Sequence, residues 1–307
     1  MDTFSEYGSD SMKVGLFLGC NMPALRPDVE KGIRLSLETL NVEVVDLVGV
    51  ACCPAYGTFW SADEDAALAV CAWNYSIAES LGVDMIVQCG SCYSTLRVGR
   101  HKLLNGKLKE INERFLSKVG RKFEGKVTTK HITDFLYNDI GVDKIKESLK
   151  FSMDGLTAVV QVPCHTIRPS GILGFDDPEN PQVLKELTRA LGAKVPTFTR
   201  DKQCCGGAGG FARHNRKAAM EFLKLKLDSM KEEVDPDCIV VSCITCLMWM
   251  DEAQEEMRKQ RMINYKIPVF DYNQLLAICQ GHDPSKVSRI AATSRDEVIK
   301  KILENKL

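Results

Sequence analysis

No apolar run in this 307-residue chain reaches the roughly 18–20 residues that a membrane-spanning helix requires, so no membrane span is expected. A basic excess is missing as well. Formal net charge is −1, which leaves no general field for nucleic acid or an anionic lipid surface. Trp60, Trp73 and Trp249 therefore read as core side chains, not as platforms for stacked bases. Residues 1–11 are polar and acidic, the opposite of a secretory leader, and are expected to form a loose extension of a cytoplasmic protein. There is no Cys-x-x-Cys-x-x-Cys-x-x-x-Cys-Pro run of a ferredoxin and no G-x-G-x-x-G fingerprint of a flavin or nicotinamide site. Gly206 to Gly210 is rich in glycine but lacks the Gly-Lys-Ser/Thr ending of a phosphate loop. Any electrons this chain uses must come from outside it.

What is present is cysteine. Thirteen cysteines without an export signal point to metal binding or redox work, not to a disulfide scaffold. Ten of them fall into one pattern written twice: Cys20, Cys52-Cys53 and Cys89-x-x-Cys92, then Cys164, Cys204-Cys205 and Cys243-x-x-Cys246. The intervals are near-equal. Thirty-one residues separate Cys20 from Cys52 and 39 separate Cys164 from Cys204; 35 separate Cys53 from Cys89 and 37 separate Cys205 from Cys243. Such lengths suit one helical crossover between neighbouring parallel strands. Adjacent cysteines pair poorly with each other as a disulfide, but both thiolates can be offered to metal.

Each group follows an apolar, strand-like run: Lys13 to Gly19, Val42 to Val48, Met85 to Gln88, Thr157 to Val162, Ala193 to Thr199 and Cys238 to Ser242. A further strand is expected at Ile267–Phe270. Helices are expected from Asp28 to Leu40, from a Ser61-x-x-Glu64 capping box to Leu81, from Tyr93 to Val119, from Asn180 to Leu191, from Phe211 to Lys231, from the last Cys-x-x-Cys to Arg261, and at Asn273–Cys279. The fold class that follows is α/β: two similar domains, each a short, mostly parallel sheet flanked by helices. Strand carboxyl ends share one edge in such a sheet, so the cysteines of each half should converge there, facing helix N-termini. The expected boundaries are a polar extension at 1–11, a first domain at 12–150, and a second at 151–307 that ends in a helical tail.

Five converging thiolates exceed the four that zinc or a cubane cluster takes, so a larger or open cluster is expected in each half. Cys71, Cys238 and Cys279 sit among apolar residues and read as core.

The Leu-Gly-Cys20 opening, Gln88-Cys89-Gly90-Ser91-Cys92, Pro163-Cys164-His165 and Cys204-Cys205-Gly206-Gly207 resemble the cysteine-rich CCG domain in tandem. From about residue 12 to 280 the chain resembles the B subunits of the heterodisulfide reductases of methanogens. That resemblance implies two noncubane [4Fe-4S] clusters, one per half, held by Cys20, Cys52, Cys53, Cys89 and Cys92 and by Cys164, Cys204, Cys205, Cys243 and Cys246. It implies reduction of the mixed disulfide of coenzyme M and coenzyme B, with each sulfur captured by one of two facing clusters. It also implies partners: an iron–sulfur C subunit, a flavin-containing A subunit and, behind them, a hydrogenase or formate dehydrogenase module. Disulfide cleavage takes two electrons, and two facing one-electron centres give the duplication a chemical reason.

His165, beside a cluster cysteine, is a candidate proton donor because its ordinary pKa lies near 6.5; the alternative is a structural hydrogen bond. Arg97, Arg100, His101, Arg213, His214 and Arg216 are candidates for steering an anionic substrate, against a plain reading as solvated helix surface. Two other functions fit the same motifs. One is the iron–sulfur subunit of a thiol:fumarate reductase or of glycolate or lactate oxidation. The other is a non-catalytic metal module that docks partners.

Overall fold

The computed structural model describes residues 12–55 and 59–307; the expected extension at 1–11 lies outside them. Two parallel sheets organise the chain. The first is built from β1 (Met12–Phe17), β2 (Val42–Asp46), β3 (Met85–Val87) and β4 (Thr129–His131) in the order β2-β1-β3-β4. The second is built from β5 (Ala158–Gln161), β6 (Cys238–Val241) and β7 (Val269–Asp271) in the order β5-β6-β7. Every pairing is parallel. The main crossover and flanking helices are α1 (Pro27–Thr39), α2 (Glu64–Ser80), α3 (Gly90–Lys102), α4 (Val183–Ala190), α5 (Arg216–Glu233), α6 (Ile244–Lys259), α7 (Tyr272–Cys279) and α8 (Asp296–Glu304). Among the described residues no helix is long and apolar enough to cross a membrane.

The two halves share a strand plan, with one difference. The run expected as a strand at Ala193–Thr199 forms only an isolated bridge, Thr157 to Lys194. Pro196 lies two residues on and has no N–H to continue a ladder. Conversely, β4 went unread in the sequence because Thr-Lys-His is too short and too polar to carry a pattern. Helix boundaries moved for local reasons. Asp63, not Ser61, caps α2, its carboxylate accepting from Ala66 N–H at 2.9 Å. The basic helix expected over Tyr93–Val119 breaks at Asn105-Gly106, where Gly106 takes φ +123°, a conformation open to glycine. The helix expected over Phe211–Lys231 is interrupted at Asn215, whose side chain caps α5 by accepting from Ala218 N–H at 3.1 Å.

The larger apolar core runs through both halves, joining β1 and α1 to β5, β6 and α7. Gly32 on α1 lets the helix approach the Asn273 carbonyl, which would lie 3.3 Å from a Cβ there. A second core fills the outer side of the first sheet around Leu68, Tyr75, Met85 and Leu96.

Polar side chains cross the seam in matched places. Gln88, just before Cys89, donates from its amide to the carboxylate of Asp271 at the end of β7, and accepts from Asn273 at 3.1 Å. His131, at the end of β4, meets the Gln88 carbonyl at 3.1 Å and also the Ser242 carbonyl just before Cys243. Both end-of-strand groups are fully buried. Burial pushes the Asp271 carboxyl up to about 7, against its hydrogen bonds from Asn273, and pushes His131 down from 6.5 to about 4.

The signs are opposite. Unfolded His131 binds a proton near pH 6.5 and the folded ring only near 4, so its contribution to stability is lost as pH falls through that window. Folded Asp271 holds its proton up to about pH 7, so its contribution is lost as pH rises from about 4. His131→Gln, compared with wild type, removes only the first slope. The stability difference between them is expected to shift in the variant's favour by about 3 kcal/mol between pH 7 and pH 4. Anaerobic denaturant unfolding across that range measures it; parallel pH profiles for the two proteins would refute the assignment.

Candidate metal centres

Eight of the ten cysteines of the double pattern lie beyond the carboxyl end of a strand, where the parallel sheets gather their loops, and Cys204-Cys205 follow the Ala193–Thr199 run that forms only an isolated bridge. Cys20 follows β1, Cys52-Cys53 follows β2, and Cys89 follows β3; Cys164 follows β5 and Cys243 follows β6. All thirteen cysteines are free. The ten pattern sulfurs form one continuous series of contacts. Cys20 meets Cys52, and Cys52 meets Cys53. Cys53 lies 3.0 Å from Cys92, which meets Cys89. Cys89 meets Cys243 across the seam, and Cys243 meets Cys246. Cys246 lies 3.3 Å from Cys205, which meets Cys204, and Cys204 lies 3.7 Å from Cys164. The two five-sulfur sets are thus a single site with a join at Cys89–Cys243. Cys71, Cys238 and Cys279 stand apart in the core, fully buried, and burial pushes their thiols up.

Local structure explains the convergence. Cys89 and Cys243 are the N-cap residues of α3 and α6, and neither helix has an acidic residue in its first turn. The first-turn N–H groups and the positive helix ends are left to the thiolates. Gly90 N–H reaches Cys243 from the opposite half. Gly90 also permits the close approach of the second half: a Cβ there would lie 3.3 Å from Pro163 Cβ and 3.6 Å from His165 Cβ. In the glycine run, Gly206 takes φ +80°. The N–H groups of Gly206 and Gly207 donate to Cys204 at 3.3 Å and Cys205 at 3.4 Å. Trp249 on α6 holds this loop, donating from Nε1 to the Cys205 carbonyl at 2.8 Å.

Sulfurs this close cannot all ionise. Cys53 is held down by hydrogen bonds from Cys52 and Cys92, Cys204 by Cys164 and Cys205, and Cys243 by Cys246 and Cys89. The donors Cys52, Cys164 and Cys92 are pushed up in turn, each by the thiolate it serves and by burial, and Cys246 is pushed up by its bonds to Cys205 and Cys243 and by burial. Among the described residues no three His, Cys, Asp or Glu side chains surround a position for one ion. The donor set fits a polynuclear thiophilic centre instead: five sulfurs per half, backbone N–H···S bonds, and helix ends that favour anions.

His165 lines a narrow cleft with Cys164, Cys204, Cys205, Cys243, Cys246 and Ser91. Its Nδ1 lies 3.1 Å from Ser94 Oγ on α3, so it too bridges the halves. The basic candidates divide. Arg213 and His214 are exposed at the short helix Phe211–His214, directly beyond the glycine run. Arg216 pairs with Glu256 at 2.6 Å and lies over the Trp249 ring. Arg97, Arg100 and His101 line a separate cavity of about 410 Å³ with Leu104, Asn105 and Gly171–Gly174, to which no cysteine contributes. There Arg97 bonds Thr128 at 2.9 Å, and Arg100 bonds the Val127 carbonyl at 2.8 Å. The structure does not bring these three to the sulfurs. Sequence reading missed His131, Asp271 and the buried Lys226 of α5. A signal for the first two was present: His131-Ile-Thr-Asp134 and Asp271-Tyr-Asn-Gln274 are matching strand-to-helix junctions.

The cysteine-rich domain family CCG matches residues 14–97 and again 158–251. Fold and site thus define a protein of two tandem cysteine-rich domains, the clustered-cysteine class that carries iron–sulfur chemistry. The chain is 44% identical to a protein of Archaeoglobus profundus named as like the B subunit of heterodisulfide reductase, covering 96% of this chain and 99% of that one. It is 33% identical to the B subunit of the ferredoxin/F(420)H(2)-dependent CoB-CoM heterodisulfide reductase of Methanosarcina acetivorans, covering 90% and 91%. The membrane anchor subunit of the 8-methylmenaquinol:fumarate reductase of Wolinella succinogenes is 26% identical over 86% and 91%. A crystal structure of a hypothetical protein from Helicobacter pylori shares the fold, with TM-score 0.69 and 14% identity over 92% of this chain and 53% of that one. The chain belongs to the CCG-domain family of heterodisulfide reductase B subunits, iron–sulfur oxidoreductase subunits of multisubunit complexes.

Gly207→Ala tests the cysteine loop. A Cβ at 207 would lie 2.8 Å from Trp249 Cβ, so loop or indole must move, at an expected cost of about 1–3 kcal/mol. A lower unfolding midpoint and less iron per chain are expected; wild-type values for both would show that Trp249 does not seat this loop.

Proposed function

We propose that this chain is the catalytic subunit of a heterodisulfide reductase and that it reduces the disulfide of coenzyme M and coenzyme B to two thiols. The observation that carries the reading is the Cys89–Cys243 contact, which joins two five-cysteine sets into one site. We assign two noncubane [4Fe-4S] clusters, one to Cys20, Cys52, Cys53, Cys89 and Cys92, the other to Cys164, Cys204, Cys205, Cys243 and Cys246. When bound, such a pair would supply one electron per centre and an iron for each sulfur of a substrate disulfide.

The chain's own residues have distinct parts in this. The cysteines fix both centres at one seam, so a disulfide between them meets both. Helix ends and glycine N–H groups offset the thiolate charge there. His165 is the proposed proton donor to a product thiolate: Ser94 holds Nδ1 at 3.1 Å, so Nε2 is the atom proposed to carry the proton. Arg213 and His214 are the proposed steering groups for an anionic substrate, since they are exposed beside the glycine loop. Arg216, tied to Glu256, and Arg97, Arg100 and His101, at their separate cavity, are proposed to hold structure. Electrons are proposed to come from an iron–sulfur C subunit and a flavin-containing A subunit. The domain limits are proposed as 12–150 and 151–307, with the larger core shared between them.

Anaerobic purification with partners, followed by an assay for thiols released from the coenzyme disulfide, tests the reading. Cys53→Ala and Cys205→Ala are each expected to keep about half of the iron and lose nearly all turnover; full turnover in either contradicts it. His165→Ala is expected to slow turnover by about 10²-fold or more while iron per chain stays at the wild-type level. Unchanged turnover would leave His165 a structural role only.

A further inference from the structure

Lys226 on α5 is completely buried. Its ammonium donates to three backbone carbonyls, those of Arg200 at 3.0 Å, Asp201 at 2.8 Å and Gln203 at 2.7 Å, and lies over the Phe198 ring. Those carbonyls belong to the loop that delivers Cys204-Cys205. Burial of an ammonium is costly unless it is fully hydrogen-bonded, and here all three of its donors are used. Its charge also reaches the sulfurs of Cys205, Cys246 and Cys204, although burial pulls the amine down to about 8.

The first half has a neutral residue in the same place. Lys226 lies 21 positions after Cys205, and Asn74 lies 21 positions after Cys53, since 226 − 205 = 74 − 53 = 21. Both positions are on the helix that follows the cysteine pair, both are buried, and both brace the loop leading into it. Asn74 does so by accepting from Ala51 N–H at 2.8 Å. The duplication has kept the brace and changed its charge.

We infer that Lys226 makes the two centres electrically unequal, raising the reduction potential of the second centre above that of the first, where Asn74 supplies no charge. The inference rests on the proposed pair of iron–sulfur centres. Reduction adds negative charge, and a fixed cation behind the ligand loop favours the reduced form, as outer-shell groups do at metal sites. Lys226 is thus a positioning residue that acts on the centre through the Cys204-Cys205 loop and through its field.

The test is a potentiometric titration of the full chain, loaded anaerobically, with EPR detection and parallel iron and sulfide counts. Wild type is expected to show two midpoints. Lys226→Gln is expected to lower one of them by about tenfold in the redox equilibrium, about 59 mV for one electron, leaving the other in place. Lys226→Arg is expected to restore it, and Asn74→Lys to raise the other. Coincident wild-type midpoints, or an unshifted midpoint in Lys226→Gln with its full iron, would overturn the inference. Should Lys226→Gln lose second-site iron, recovery of iron in Lys226→Arg without the higher midpoint would overturn it as well; recovery of both supports it. A wild-type chain that binds no iron would sink the proposed function itself, and the iron count reports that separately from any midpoint.

Discussion

The contact between Cys89 and Cys243 is the constraint that the rest of the molecule serves. Each is the second residue past an interior strand and the N-cap of the helix that follows. Bringing them together requires the carboxyl ends of two separate parallel sheets to face each other, with very little between them. Gly90 supplies that closeness, because a Cβ there would crowd Pro163 at 3.3 Å. The apolar core then continues from one half into the other, and burial of that surface holds the seam shut.

Close to the sulfurs the seam is polar, and the polar groups come in matched pairs. Gln88 reaches Asp271 and Asn273; His131 reaches the carbonyls of Gln88 and Ser242. The Gln88–Asp271, Asn273–Gln88 and His131–Ser242 bonds cross the seam and form only when the halves meet in one alignment, so they fix its register; the His131–Gln88 contact lies within the first half. A slip of the seam would cost Asp271 its bond from Gln88 and His131 its contact with the Ser242 carbonyl, and losing buried hydrogen bonds is costly. Registry matters because both cysteine sets must share one site.

Duplication has not made the halves identical. The second sheet has lost an edge strand to Pro196, and its sulfurs are more deeply enclosed, whereas Cys20 and Cys52 of the first half are exposed. The residue bracing the cysteine-pair loop is neutral in one half and cationic in the other. An exposed rim on one side and an enclosed, charge-stabilised pocket on the other give the joined site a direction.

Much of this was legible in residue order. The repeated cysteine spacing, the strand-like run before each group and the crossover lengths between them lead to parallel sheets with ligands at one edge, because chain length and strand direction leave few other arrangements. Short, local features were less legible. β4 is three polar residues, Ala193–Thr199 has a strand's composition but Pro196 within it, and Asn105 and Asn215 end helices that composition alone would continue. Which basic residues reach the sulfurs could not be read at all: Arg97 and Arg100 are only one to two turns beyond Cys92, yet they face another cavity. The ten ligand candidates and their two sets are written in the order of the chain. That the two sets share a seam, that His131 and Asp271 close it, and that Lys226 sits behind one loop were decided by packing, because contacts between residues up to about 180 positions apart depend on how two cores merge and leave no mark on local sequence.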